Sequence, residues 1–175
     1  IVDADGNAAA VTTTLNDSFC NALVVGGAGF LLNNEMDDFT AKPGSPNDYG
    51  LVQGRANAIE PGKRMLSAMS PTIVLDPEGH LALVLGSPGG PRIISAVFQV
   101  ISNVIDHDMT LAQAVYAPRI HHQAVPDSIR WEPNGVAPET RRALERMGHA
   151  FRSTPLFETL VQAIRVTRSG LEGVS

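Results

Sequence analysis

The sequence predicts an α+β domain. Strand patterns lie towards both ends of the chain and helical patterns lie between them, an order that suits layered sheet and helix. Composition agrees: 175 residues, 43% hydrophobic and 18% charged, suffice for one globular domain with a sizeable core.

The formal net charge of −5, from 13 basic and 18 acidic residues, and the absence of a basic run argue against a nucleic-acid partner. A single cysteine, Cys20, excludes an internal disulfide and a cysteine-based zinc site. No apolar run is long enough to span a bilayer, so no membrane insertion is expected, and no signal peptide is recognisable. Residues 1–175 read as a single domain. Ile1 falls inside a strand pattern and Leu171–Ser175 carries no obvious stop, so the domain is expected to be a piece of a longer protein.

Taken in order, Ile1-Val2-Asp3 leads into Asp5-Gly6-Asn7, a strong turn signal, and Ala8 to Leu15 is expected to return as the second strand of a hairpin. Leu23 to Val25 and Phe30 to Leu32 read as short buried strands around the bend Gly26-Gly27-Ala28-Gly29. The polar, acidic stretch Asn33 to Asp38 follows. Pro43 to Gly54, rich in Pro, Gly, Asn and Asp and carrying Tyr49, reads as a loop long enough to act as a lid. Thr72 to Asp76 and Leu81 to Leu85 form a predicted hairpin around Pro77-Glu78-Gly79. Helices are expected from about Pro91 to Asp106, from Thr110 to Tyr116 with Thr110 and Gln113 spaced as a capping box, and from Pro138 to Met147 with Gly148 at the C-cap. Strands are expected again at Leu160 to Val166 and Leu171 to Val174.

Gly86-Ser87-Pro88-Gly89-Gly90-Pro91-Arg92 joins an apolar strand to a helix. Adjacent glycines let consecutive N–H groups point one way, and a proline fits the first helical position. Such a turn could hold a phosphate, a carboxylate or an oxyanion, or could need glycine for geometry alone. It matches neither nucleotide-binding glycine motif. Three further stretches put polar residues beside strands or glycines: Thr14 and Asn16, Glu35 and Asp38, and Ser67 and Ser70. Glu35 and Asp38 could pair as acid and base, though nothing in the spacing makes them converge. His121 and His122 are adjacent on an extended segment and so point to opposite faces, which favours structure or surface over a metal.

Together these stretches resemble one family. Thr14-Leu15-Asn16, the run Leu31 to Phe39 (LLNNEMDDF), the run Lys63 to Thr72 (KRMLSAMSPT), Gly86 to Arg92 (GSPGGPR) and Ala117 to Gln123 (APRIHHQ) are similar, in order and over essentially the whole chain, to the small C-terminal subunit of γ-glutamyltranspeptidases. The resemblance implies an N-terminal nucleophile hydrolase fold of the four-layer αββα type, with two packed antiparallel sheets between helix layers. It implies a precursor that cleaves itself before a threonine, whose hydroxyl is then nucleophile and whose amine is base. It implies no cofactor or metal. The implied partners are a large subunit from the same precursor, a small-molecule γ-glutamyl amide such as glutathione, and an acceptor amino acid, peptide or water. A periplasmic or extracellular location is also implied.

Carried over by position, Thr14 is the second threonine, whose hydroxyl supports the nucleophile. The resemblance makes Gly89 and Gly90 the oxyanion hole. It implies that Asn16, Glu35 and Asp38 hold the substrate's α-amino group, that Ser67 donates to its α-carboxylate, and that Tyr49 is the lid tyrosine. Two departures stand out. Ala68 replaces the second of two serines, removing a hydroxyl from the carboxylate site while keeping its backbone N–H. The nucleophilic threonine itself would precede Ile1; Thr12 and Thr13 cannot substitute, because neither is at a free N-terminus. A cephalosporin or glutaryl acylase of the same family, and a catalytically inactive module that kept the pocket, are the alternatives. Glu35 and Asp38 favour the γ-glutamyl reading, since an acyl group without an α-amine would not need them.

Overall fold

The structure, a computed structural model, describes residues 1–152 and 159–175. Contacts divide the chain into two compact units: Ile1–Thr12 with Ala68–Ser175, and Thr13–Ser67.

The first unit is built on an antiparallel sheet. Strand β1 (Thr72–Leu75) turns at Pro77–Gly79 into β2 (Leu81–Gly86), as the sequence predicts. The Asp76 carboxylate holds that turn by accepting from the His80 N–H at 2.8 Å. Beyond the glycine turn runs helix α1 (Arg92–Ile105), followed by α2 (Leu111–Tyr116). The capping box of α2 is present: the Thr110 hydroxyl accepts from the Gln113 N–H, and the Gln113 amide accepts from the Thr110 N–H. Two short paired strands, β3 (Ile120–His121) and β4 (Arg130–Trp131), lead to helix α3 (Pro138–Arg146), which Pro138 opens and Gly148 follows at φ +98°. Strands β5 (Gln162–Thr167) and β6 (Gly170–Val174) complete a sheet of order β1-β2-β5-β6.

The alternation of β2 explains the core. Leu83 and Leu85 face α1 and α2, joining Ile93, Ala96, Val97, Val100 and Val104 of α1, Leu111, Ala114 and Val115 of α2, and Ala163 of β5. These apolar positions recur at helical spacing on α1, so one face is fully used. Its other face leaves Ile94, Phe98 and Ile105 exposed. A charged staple closes the β3–β4 corner: Arg119 donates to Glu132 through Nε and Nη2, and Glu132 also accepts the Arg119 N–H at 2.8 Å. Arg141 of α3 lies over the Trp131 and Phe151 rings at 5.4 and 5.0 Å.

Three expectations are corrected here. The turn at Asp5–Asn7 forms, and Ile1 and Ala9 exchange backbone hydrogen bonds around a Val2–Ala8 bridge, but the pairing goes no further and Ala8 to Leu15 is not a continuous strand. Small residues and threonines supply β-propensity there, yet among the described residues no strand pairs with residues 10–15. Val24 and Leu31 likewise make a single antiparallel bridge around the glycine bend. Leu23, Val24, Phe30 and Leu32 are exposed rather than buried.

The second unit, Thr13–Ser67, is mostly loops. It is held by bridges at Thr40–Ala58 and Pro46–Val52, by two 3-10 turns at Glu35–Asp38 and Arg55–Asn57, and by amide side chains bonded to backbone. Backbone polar groups outside regular structure need such partners, and Asn and Asp are the residues that supply them locally.

Candidate active site

The Thr13–Ser67 unit contains Thr14, Asn16, Glu35, Asp38, Tyr49 and Ser67. Asn16 sits at φ +78°, a left-handed position that asparagine tolerates. The Thr14 hydroxyl closes this turn, accepting from the Asn16 N–H at 2.9 Å and donating to the Asn16 carbonyl at 3.4 Å. Thr14 also lines an open cavity with Thr13, Leu15, Asp17 and Ser18. Asn34, which sequence reasoning missed, ties the turn to the acidic segment. Its carbonyl accepts from Asn16 Nδ2, its side-chain oxygen accepts from the Asp17 N–H, and its amide donates to the Asp17 carboxylate. Asn34 immediately precedes the Glu35–Asp38 turn, so the two stretches are locked together.

That 3-10 turn makes the carboxyls converge. Burial, then the neighbouring Asp38 charge, pushes Glu35 above the ordinary carboxylate range. Burial also raises Asp38, opposed by a hydrogen bond from the Glu35 carboxyl, with Asp37 adding repulsion. The two carboxyls thus lie close enough to repel and to hydrogen-bond, which disfavours both being ionised at once. Glu35 Oε2 is buried and meets no donor among the described residues. The Tyr49 hydroxyl donates to Asn16 Oδ1 at 3.3 Å, and Asn47 and Asp37 anchor the loop beneath it. The expected loop thus carries a small bridged turn and brings its tyrosine onto Asn16.

A second amide holds the other end of the acidic turn. Asn57 Nδ2 donates to the Asp38 carbonyl at 2.6 Å, and its Oδ1 accepts from the Leu66 N–H at 3.0 Å, one residue before Ser67. Asn57 was not legible beforehand; a lone asparagine in an unstructured stretch carries no spacing signal.

In the sheet-containing unit lie Ala68 and the glycine turn. Gly89 has φ +136° and Gly90 φ +58°, angles that favour glycine. Their carbonyls accept the first helical bonds of α1, from Arg92 and Ile93. Their own N–H groups meet no acceptor among the described residues. Two free donors at the start of a 14-residue helix, whose dipole adds positive potential, suit a negative oxygen.

The two adjacent histidines serve structure. His121 is buried; Ser95 of α1 donates to its Nδ1 at 2.7 Å and its Nε2 donates to Gln123. Burial holds its pKa below the usual imidazole value, so it is neutral at pH 7. His122 faces outward onto Asp127. Among the described residues no group of three or more His, Cys, Asp or Glu could hold a metal.

Solved structures place this architecture. The chain superposes on the T380A mutant of Helicobacter pylori γ-glutamyltranspeptidase with a TM-score of 0.92 and 50% identity, over 99% of this chain and 94% of that one. A cephalosporin acylase from Bacillus halodurans has a TM-score of 0.73 at 24% identity, over 91% of this chain and 28% of that one, a likeness of fold alone. The chain therefore has the α+β fold of the N-terminal nucleophile hydrolases, and its four-stranded sheet with α1 and α2 is what these residues contribute to it.

The γ-glutamyltranspeptidase family model matches residues 1–175. The glutathione hydrolase proenzyme of Escherichia coli K12 is 56% identical over 148 residues, 85% of this chain and 25% of that protein. The chain belongs to the γ-glutamyltranspeptidase family. It spans 25% and 32% of the length of the glutathione hydrolase proenzymes of Escherichia coli K12 and Pseudomonas aeruginosa.

Proposed function

We propose that this chain is the substrate-binding and oxyanion-stabilising part of a γ-glutamyl hydrolase or transpeptidase. One observation carries the proposal. The facing Glu35 and Asp38 carboxyls, with a buried Oε2 that meets no donor among the described residues, form a site rich in acceptors and short of donors there. An ammonium group supplies what the site lacks: positive charge and up to three N–H donors.

Membership of the family supplies the remaining roles of this proposal. Glu35, Asp38 and Asn16 hold the α-amino group of a γ-glutamyl amide, and Ser67 with the Ala68 N–H holds its α-carboxylate. The nucleophile is a threonine that is not among these 175 residues. Its hydroxyl oxygen attacks the γ-carbonyl carbon while its own amine takes the proton. Gly89 and Gly90 donate to the oxyanion of the tetrahedral intermediate. The amide nitrogen leaves with the proton, and water or an acceptor amine then resolves the acyl-enzyme. Thr14 supports the nucleophile's hydroxyl, and Tyr49 covers the pocket.

The implied partner is a large subunit from the same precursor. Exposed apolar rows support that: Ile94, Phe98 and Ile105 on α1, and Phe19, Leu23, Val24 and Phe30 in the smaller unit. The family is also the ground for proposing a periplasmic or extracellular location, which cell fractionation would test. No helix among the described residues is long and apolar enough to cross a membrane.

The deciding experiment replaces Asp38 by Ala in the full-length precursor and measures hydrolysis of a γ-glutamyl anilide. Loss of a charge-assisted contact to an ammonium should cost about 1.5–3 kcal/mol, seen mainly as a raised KM. Near-normal kinetics would rule out the amine-binding role and move the acylase or inactive-module reading ahead.

A further inference from the structure

We infer that Asn57 is a positioning residue for substrate recognition, setting the spacing between the amine-binding and carboxylate-binding parts of the site. The inference rests on the proposed roles of Asp38 and Ser67.

Four bonds define it. Asn57 Nδ2 donates to the Asp38 carbonyl at 2.6 Å and also to Gln53 Oε1. Asn57 Oδ1 accepts from the Leu66 N–H at 3.0 Å. The Asn57 carbonyl accepts from the Thr40 N–H at 2.9 Å, two residues past Asp38. One planar amide thus spans from the residue that meets the ammonium to the residue before the serine that meets the carboxylate. Both contacts are to backbone, so they fix where the Asp38 and Ser67 side chains start rather than how they rotate.

The chemistry demands such a brace. The α-ammonium and α-carboxylate of a glutamyl group leave the same carbon, so the distance between them is set by covalent geometry. A site that reads both must hold its two halves at that separation. Neither half lies on a helix or strand long enough to be rigid by itself: Asp38 ends a four-residue 3-10 turn and Ser67 lies in irregular chain. Gln53 and Thr40 complete the brace. The Thr40 hydroxyl donates to the Gly54 carbonyl at 3.0 Å, beside the turn that carries Asn57, and the Asn57 N–H bonds to the same carbonyl. Asn57 touches no group assigned to the reaction and acts through Asp38 and Leu66.

The test uses the full-length, matured enzyme with a γ-glutamyl anilide, with active sites counted from the acyl-enzyme burst. Asn57→Ala removes both side-chain contacts. Asn57→Asp keeps the acceptor for Leu66 but sets an oxygen against the Asp38 carbonyl. For both variants KM is expected to rise about tenfold with kcat per active site within about twofold of the parent. A residue important only for stability would lower the melting temperature and the number of active sites while leaving KM alone. An unchanged KM in either variant overturns the inference, as does failure of both to mature, which would make Asn57 a folding residue. Asp38→Ala in parallel separates the two levels. If it leaves KM unchanged, the amine-binding reading has failed. If it raises KM while the Asn57 variants do not, only the brace has failed.

Discussion

Replacing Glu35 by glutamine should make the protein more stable and a worse binder at the same time. In the parent, burial and the Asp38 charge raise the Glu35 pKa, so the folded state disfavours the ionised form. The sign follows from proton linkage. Between the unfolded and folded pKa values the folded state binds more protons than the unfolded state, so stability falls as pH rises through that window. Glutamine has no proton to lose, and its amide can still donate to Asp38, so the variant escapes that loss. Its melting temperature should exceed the parent's at pH 7–8, with the gap closing towards pH 4. Substrate binding should move the other way. An ammonium exchanges one of two carboxylate partners for a neutral amide, and a hydrogen bond to a charged group contributes about 1.5–3 kcal/mol, or roughly 10- to 150-fold in KM at the upper bound. The parent's KM should also fall as pH rises through the raised carboxylate range, because an ammonium and a proton compete for the same carboxylates; in Glu35→Gln that acidic limb should shrink. Thermal melts and steady-state kinetics from pH 5 to 8 measure both. A variant less stable than the parent at pH 8, with unchanged KM, would refute the reasoning.

Other perturbations separate the remaining parts. Gly90→Ala keeps the N–H but places a methyl group at φ +58°, where an L-residue costs about 1–2 kcal/mol; a turn displaced by that strain should lower turnover by roughly tenfold with little effect on KM, and unaltered turnover in a folded variant would make the turn structural. Gly89, at φ +136°, is the poorer test because any side chain there strains the backbone directly. Ala68→Ser should lower KM modestly at unchanged turnover, since the added hydroxyl meets a part of the substrate that does not react. If it abolishes activity instead, the pocket is built around the smaller residue and the preferred acyl group is not γ-glutamyl. Glu132→Gln strips a buried guanidinium of its charge partner, and should destabilise the fold by up to about 3–5 kcal/mol, read as a lower melting temperature.

Periodicity made the sheet-containing unit readable. Alternation in Leu81–Leu85, the helical stripe of α1 and the Thr110–Gln113 box each report local physics that tertiary packing reinforces, and each forms as expected. Ala8 to Leu15 failed because β-propensity describes what a strand would tolerate, not whether a neighbour exists. Leu23–Leu32 failed because hydrophobicity marks surface that needs cover, and here this chain does not supply the cover. Glu35 and Asp38 stand at a spacing that favours contact only on a helical turn, and the acidic run alone did not specify one. Asn34 and Asn57 were out of reach because their partners are backbone groups many residues away. The need for glycine angles at Gly89 and Gly90 was legible, while the lack of an acceptor for their N–H groups among the described residues was not.

The most direct measurement compares kcat/KM of the full-length enzyme for a γ-glutamyl anilide and for the matching glutaryl anilide, which lacks only the α-amino group. Two charge-assisted contacts, from Glu35 and Asp38, predict a preference for the γ-glutamyl substrate of about 10²–10⁴-fold. Equal rates, or a preference for the glutaryl amide, would contradict the assignment of the carboxylate pair and of the chain's substrate.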